Sequence, residues 1–352
     1  MDELREILID QARLNGASAV GVADLATLAG GPESADLTRS LDGAKSAITF
    51  ALPLDHGAIR DYLAKKDRKS HEQNNIDVNA LTGGVALNLA GFLEMKGFKA
   101  RPAVPNNHYR TDTPLGALDM MPEISLRYLA VTSGLGWFGL SGNIVTPRDG
   151  AAVILGAVIT TAGFKPTAPL PPEDNYCNQC RLCQASCLSG LMDRDRLAVV
   201  TLGGRDFTYS KRKSYLRCEY VCGGFTGLHP SGGWSTWSPG RFPVPGNDEE
   251  FLPVLLDAIS RYKKQPRMEG GYYHVLSPSK MYITCGNCQL VCHPDLEERK
   301  ARFRLLTEGG VVVQHQNGDL EALLPEEARR RLEAMDDERR ACYENIRPRE
   351  AS

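Results

Sequence analysis

The sequence predicts an α/β fold in two parts, a layered α/β half followed by a smaller cysteine-rich half, and three observations predict it. Up to Thr161, amphipathic helical stretches alternate with short continuous apolar runs, the pattern of helices packed on a sheet. A Pro-rich run, Thr167-Ala168-Pro169-Leu170-Pro171-Pro172, then reads as a linker. Beyond it, nine of the 10 cysteines fall between Cys177 and Cys292. The boundaries follow as 1–166, 167–300 and 301–352, with a long insertion over 223–284 between the cysteine groups.

Residues 4–15 carry a helical stripe at Leu4, Ile7, Leu8 and Ala12, and Gly16 is placed to end it. Ala19–Ala23 and Ala47–Leu54 read as buried strands, 57–68 as a charged surface helix, and Val78–Lys96 as a longer helix closed by Gly97. Phe98–Val104 is a further strand. Pro122 starts a helix with a stripe at Ile124, Tyr128 and Val131. After a glycine-rich loop, Ile144–Thr146 and Ala151–Thr161 form a strand pair. In the second half Leu188–Val200 reads as a helix leading away from the cysteines. The insertion holds a helix at Glu249–Tyr262 and the aromatics Trp234, Trp237, Phe242, Tyr272, Tyr273 and His274. So long an irregular segment suits a lid over a substrate pocket, with a covering loop as the plain alternative. A charged helix (Leu296–Leu306), a strand (Val311–Gln314) and a helix from Pro325 to Tyr343 complete the chain.

With 352 residues, 42% of them hydrophobic, the chain can bury full cores. Its formal net charge of -2 gives no basic field of the kind that drives nucleic-acid binding. Met1-Asp2-Glu3-Leu4-Arg5-Glu6 has no basic leader, and the longest apolar run, Ala151–Ile159, is too short to span a bilayer. A cytoplasmic location without membrane is expected. In that reducing setting cysteines read as metal ligands.

Cys177, Cys180, Cys183 and Cys187 have the spacing C-x2-C-x2-C-x3-C, in which the first three thiolates converge on one iron–sulfur cube and the fourth ligates a second. The second group, Cys285, Cys288 and Cys292, completes the exchange. Cys177, Cys180, Cys183 and Cys292 then hold one [4Fe-4S] cluster. Cys187, Cys285 and Cys288 hold the other, with Cys218, or else Cys222, as the last ligand. Structural zinc more often uses two separated C-x2-C pairs. Leu188 stands where a Pro usually follows the fourth Cys, and His293 precedes Pro294, without touching a ligand. Cys342 reads as a free buried thiol.

Gly134-Leu135-Gly136-Trp137-Phe138-Gly139 is a literal G-x-G-x-x-G, but a helix precedes it and a strand follows, the reverse of a dinucleotide site. The small residues around Trp137 suit either a backbone lying flat on a large planar ligand or a tight turn with Trp137 as core.

On these residues the chain resembles the superfamily of epoxyqueuosine reductases and reductive dehalogenases. Ala130 to Gly139 is similar to that family's helix end and GLGW-x-G loop, Cys177–Cys187 and Cys285–Cys292 match its two cysteine motifs, and the opening helix with Gly16-Ala17-Ser18-Ala19-Val20-Gly21 also fits. The resemblance implies a nitroreductase-like, cobalamin-binding α/β sandwich over 1–166, a two-cluster ferredoxin-like domain over 167–300 and a C-terminal helical segment over 301–352. It implies cobalamin on Gly134, Leu135, Gly136, Trp137, Gly139, Ser141, Gly142 and Asn143, with no histidine ligand below it, since no D-x-H-x-x-G is present. Leu140 replaces the family's Lys, which removes a polar contact. Asp119, in Asp119-Met120-Met121-Pro122, matches the D-x-x-P proton donor of epoxyqueuosine reductases, with one extra residue before the loop; Tyr109, Tyr128 and Glu123 are the other acids.

The resemblance further implies a reductase that generates Co(I) for reductive cleavage, dehalogenation or epoxide reduction, fed by an external ferredoxin- or flavodoxin-type donor. A small-molecule substrate is expected over tRNA, because Arg241, Arg261, Lys263, Lys264 and Arg267 are countered by Asp248, Glu249, Glu250 and Asp257. Epoxyqueuosine reduction on tRNA, a cobalamin-free electron-transfer protein and a corrinoid activator are the alternatives.

Overall fold

The computed structural model describes residues 1–105, 108–114, 116–117, 119–273 and 280–346. Strands Ala19–Asp24, Ser46–Pro53, Val153–Thr160 and Ala100–Ala103 form one antiparallel sheet in that spatial order. Ser46–Pro53 lies inside the sheet and is buried along nearly its whole length, which is why it reads as an unbroken apolar run. Its side chains alternate. Ile48, Phe50 and Leu52 join Leu8, Ala12, Val85, Leu89 and Leu93 from helices Asp2–Leu14 and Lys69–Met95. Ala47 and Ala51 face the other way, against Leu129, Ala130 and Val131 of helix Leu126–Thr132. Each fully buried large side chain here contributes about 1.5–3 kcal/mol.

Several elements differ from expectation. Helix Lys69–Met95 starts well before Val78, in a polar stretch held by the buried ion pair of Arg68 and Glu72. Among the described residues it is the one helix long and apolar enough to cross a membrane, while its Val85, Leu89 and Leu93 pack on the sheet. Helix Leu126–Thr132 starts not at Pro122 but after Ser125, whose side chain accepts from the Tyr128 N–H. Ile144–Val145 pairs with Trp137–Phe138 in a small hairpin of its own.

The segment expected as helix Leu188–Val200 is instead a strand, Met192–Leu202, paired with Arg205–Arg212 across Gly203 and Gly204. Both glycines have positive φ, +55° and +76°, as a two-residue hairpin turn requires. The C-terminal segment is not purely helical either. Val311–Gln314 pairs with Leu320–Leu323, and the helix expected from Pro325 to Tyr343 breaks into Pro325–Glu333 and Asp337–Arg340.

The insertion packs as a wall rather than a lid. Trp234 and Trp237 are buried in the same core as Phe50 and Leu89, and the Trp237 indole N–H donates to the Tyr62 carbonyl at 2.9 Å. Phe225, Phe242 and Phe251 build a smaller core around Tyr220. His274 lies outside the described residues.

Candidate functional site

The cysteine run winds tightly after the Pro-rich linker. Gln179 and Arg181 take left-handed backbone angles, φ +54° and +61°, uncommon for side-chain-bearing residues. Cys183 follows on the short helix Leu182–Ala185, and Cys292 arrives from beyond helix Asn287–Leu290. Burial pushes the Cys183 thiol up to about 12, reinforced by the neighbouring thiols of Cys292, Cys177 and Cys180. Cys292 is raised likewise by burial and by Cys177 and Cys180, so the four thiols lie in one neighbourhood. Their sulfurs are ringed by donors: the Leu140 N–H points at Cys177 Sγ (3.3 Å) and Arg299 Nη1 at Cys180 Sγ (3.5 Å). The Tyr176 hydroxyl lies 3.8 Å from Cys292 Sγ.

The second set gathers in the same way. Cys288 is driven well up by burial and then by Cys187, Cys218 and Cys285. Cys187 is raised by burial and by Cys218 and Cys285, with the Ser189 hydroxyl 3.3 Å from its sulfur. Cys222 borders this set too, its Sγ 3.5 Å from Cys218 Sγ and its thiol hydrogen-bonded to Cys285. Burial raises Cys187 and Cys288, whereas the hydrogen bond from Cys222 lowers Cys285 to about 7, and a bound metal would hold its ligands as thiolates. Among the described residues no three His, Cys, Asp or Glu side chains converge on a single metal ion. All ten cysteines are free, and Cys342 is buried in the C-terminal segment.

The glycine loop lies between the two sets. Its Leu140 N–H reaches Cys177, and the Asn143 amide lies 3.9 Å from Cys288 Sγ. The loop's glycines are spent on internal packing. Gly134 has φ +78°, and a Cβ on Gly136 would sit 2.4 Å from the Val145 carbonyl oxygen. Leu135 is buried with the helix that precedes it. Trp137 packs with Val145, Ala151 and Tyr176, and its indole N–H donates to the Pro171 carbonyl at 2.9 Å. The flank of Trp137 is thus filled by the chain itself, which corrects the expectation of a flat cavity there. Arg127 donates to the Gly142 carbonyl, and Arg212 to the Ser141 carbonyl and the Asn143 side chain.

Unpartnered polar atoms lie beside the second thiol set. Arg212 Nε and Glu219 Oε1 are both buried without a hydrogen-bond partner. Burial, and then the Asp119 carboxylate, lift the Glu219 carboxyl to about 7. Burial, followed by Glu219 and Tyr272, lifts Tyr109 to about 12. Asp119, Tyr109 and Glu219 therefore share one neighbourhood, next to Cys218. Glu219 was missed in the sequence, where adjacency to a ligand was its one signal. Tyr128 is instead nine-tenths buried beside Phe138. Glu123 is gripped through both oxygens by Arg101 (2.9 and 2.7 Å), a structural ion pair that takes it out of the acid candidates.

No family model matches the chain. An epoxyqueuosine reductase of Bacillus anthracis is 27% identical over 192 residues, which cover 54% of this chain and 46% of that protein. One of Listeria monocytogenes is 36% identical over 69 residues, 19% of this chain and 18% of that protein. The chain thus spans about half the length, or less, of the curated relatives it matches. Among solved structures, an epoxyqueuosine reductase with an epoxyqueuosine-modified tRNA stem loop superposes with a TM-score of 0.43 at 19% identity, covering 95% of this chain and 73% of that one. A catabolic reductive dehalogenase gives a TM-score of 0.45 at 15% identity, over 61% of this chain and 28% of that one.

Proposed function

We propose that this chain, similar in sequence to epoxyqueuosine reductases, is an iron–sulfur- and cobalamin-dependent oxidoreductase that reduces an epoxide-type modification on tRNA. The observation that carries the reading is the pair of interleaved thiol sets, joined by a glycine loop that touches both. Cys177, Cys180, Cys183 and Cys292 would hold one [4Fe-4S] cluster, and Cys187, Cys218, Cys285 and Cys288 the other. Bound here, the clusters would supply single-electron relay and cobalamin a strongly reducing nucleophile. The orphaned Arg212 Nε and Glu219 Oε1 fit a large ligand with polar edges, between Asp119 and the second thiol set. The Ser141–Asn143 end of the loop would border it, with the Trp137 end acting as its internal support.

The chain's own contribution is a proton and a dry setting. Asp119 would donate the proton to the substrate oxygen released on cleavage. Glu219, lifted to about 7 by burial and then by Asp119, would hold a proton near neutral pH and pass it to the Asp119 carboxylate, from which it reaches the substrate oxygen. Tyr109 stays a neutral donor throughout that range. The similarity to epoxyqueuosine reductases favours tRNA over the small molecule expected from charge alone. The net charge of -2 still favours a small halogenated or epoxide substrate as the second reading.

The test is anaerobic purification with cobalamin, iron and labile-sulfide analysis, and turnover of an epoxyqueuosine-bearing tRNA stem loop beside a panel of small halogenated aromatics. Iron with turnover of the stem loop supports the proposal, and Asp119→Asn should keep the iron while losing at least a hundredfold in rate. Zinc at the thiols, or turnover of the small molecules alone, overturns it.

A further inference from the structure

Arg299 is a buried cation, 4% exposed, on helix Leu296–Glu308. Among the described residues it forms no ion pair with any carboxylate. Its guanidinium instead donates to the Asn178 side chain (3.0 Å) and to Cys180 Sγ (3.5 Å), lies over the Tyr176 ring at 5.4 Å, and leaves Nε unpartnered. A buried guanidinium without a counter-charge is costly. Among the described residues the groups it touches carry no anion other than what the thiols hold.

Building on the two-cluster reading, we infer that Arg299 sets the reduction potential of the cluster on Cys177, Cys180, Cys183 and Cys292 and makes that cluster the point of electron entry. Cluster potentials respond to nearby charge and to hydrogen bonds on the sulfurs. Adding one electron adds one negative charge beside a fixed positive one, so Arg299 stabilises the reduced form and raises the potential. The Tyr176 hydroxyl and the Leu140 N–H, also directed at sulfurs of this set, act in the same sense. The position fits the role: Asn178, Gln179 and Arg181 around these thiols are exposed, so a donor protein can approach this set directly. Because a guanidinium does not deprotonate, its influence should be the same across the working pH range.

The experiment is a redox titration of the anaerobic protein followed by electron paramagnetic resonance, with iron and labile sulfide measured in parallel. Arg299→Gln, which keeps an N–H but not the charge, should move one of two midpoints to more negative potential, equally at pH 7 and pH 8.5, with the other midpoint and the iron content unchanged. Arg299→Lys should restore most of the shift. Should Arg299→Gln lose its cluster, Tyr176→Phe provides the reading, with a smaller negative shift of the same midpoint. Unmoved midpoints in an iron-replete Arg299→Gln or Tyr176→Phe protein overturn the inference while leaving the two-cluster proposal intact. Wild-type protein without iron overturns that proposal instead.

Discussion

Cys218 and Cys222 stand one turn apart on helix Leu216–Cys222, and both border the second thiol set. Cys218 adds to the burial that raises both Cys187 and Cys288, whereas Cys222 bonds Cys218 and Cys285 and acts on Tyr62 and Tyr272 behind them, so Cys218 is the ligand we propose. Cys218→Ser should therefore remove roughly half of the iron, the share of one of two [4Fe-4S] clusters. Cys222→Ser should leave iron content and cluster spectra as they are. The reverse pattern in iron analysis would assign the ligand to Cys222. The other thiols stood out in the sequence because they fall into two local runs, Cys177–Cys187 and Cys285–Cys292, each within one turn or loop. The choice between Cys218 and Cys222 was not, since one helix carries both and only the partners across the site separate them. Glu219 was equally hidden, one of 43 acidic residues with no motif of its own.

At the scale of elements, the insertion is fastened by one buried carboxylate. Glu72 pairs with Arg68 at 2.7 Å, with both side chains nearly fully buried, and accepts from the Gly271 and Ile283 N–H groups at 2.8 Å each. Arg68 in turn donates to the Glu269 carbonyl and lies over the Tyr282 ring. Removing one partner of such a pair leaves an uncompensated buried charge. Glu72→Ala should cost about 3–5 kcal/mol in denaturant unfolding and speed proteolysis within 269–283. A cost below about 1 kcal/mol, the range of exposed pairs, would mean that the insertion is held by its aromatic packing instead. Ser46–Pro53 and Val153–Thr160 of the main sheet were legible as apolar runs because they are covered on both faces. Met192–Leu202 was not, because Asp193, Arg194, Asp195 and Arg196 resemble the solvated face of a helix. The Gly203-Gly204 pair was the signal that could have marked a hairpin.

For the whole molecule, the order of an α/β half and a cysteine-rich half was readable from periodicity, but their shared core was not. Periodicity reports which face of an element is buried and not which distant element buries it. Trp237, read as an insertion aromatic, lies 5.9 Å from the Tyr62 ring, which in turn lies 4.7 Å from the His71 ring. That junction has a consequence for acid stability. His71 is 2% exposed, its Nδ1 has no partner, and burial holds its pKa at about 4 against 6.5. Between those two values the unfolded chain takes up a proton that the folded chain refuses. The stabilisation is complete above pH 6.5, declines as pH falls, and is gone below about pH 4. From pH 7.5 to pH 5 the loss assigned to this one ring is about 2 kcal/mol. Replacing it by an apolar side chain of similar size removes the titration without removing the packing. The fall in Tm between pH 7.5 and pH 5 should therefore be smaller in His71→Leu than in the wild type. Parallel falls in the two proteins would show that the junction admits the charged imidazole, and that acid sensitivity arises at the thiol sets instead.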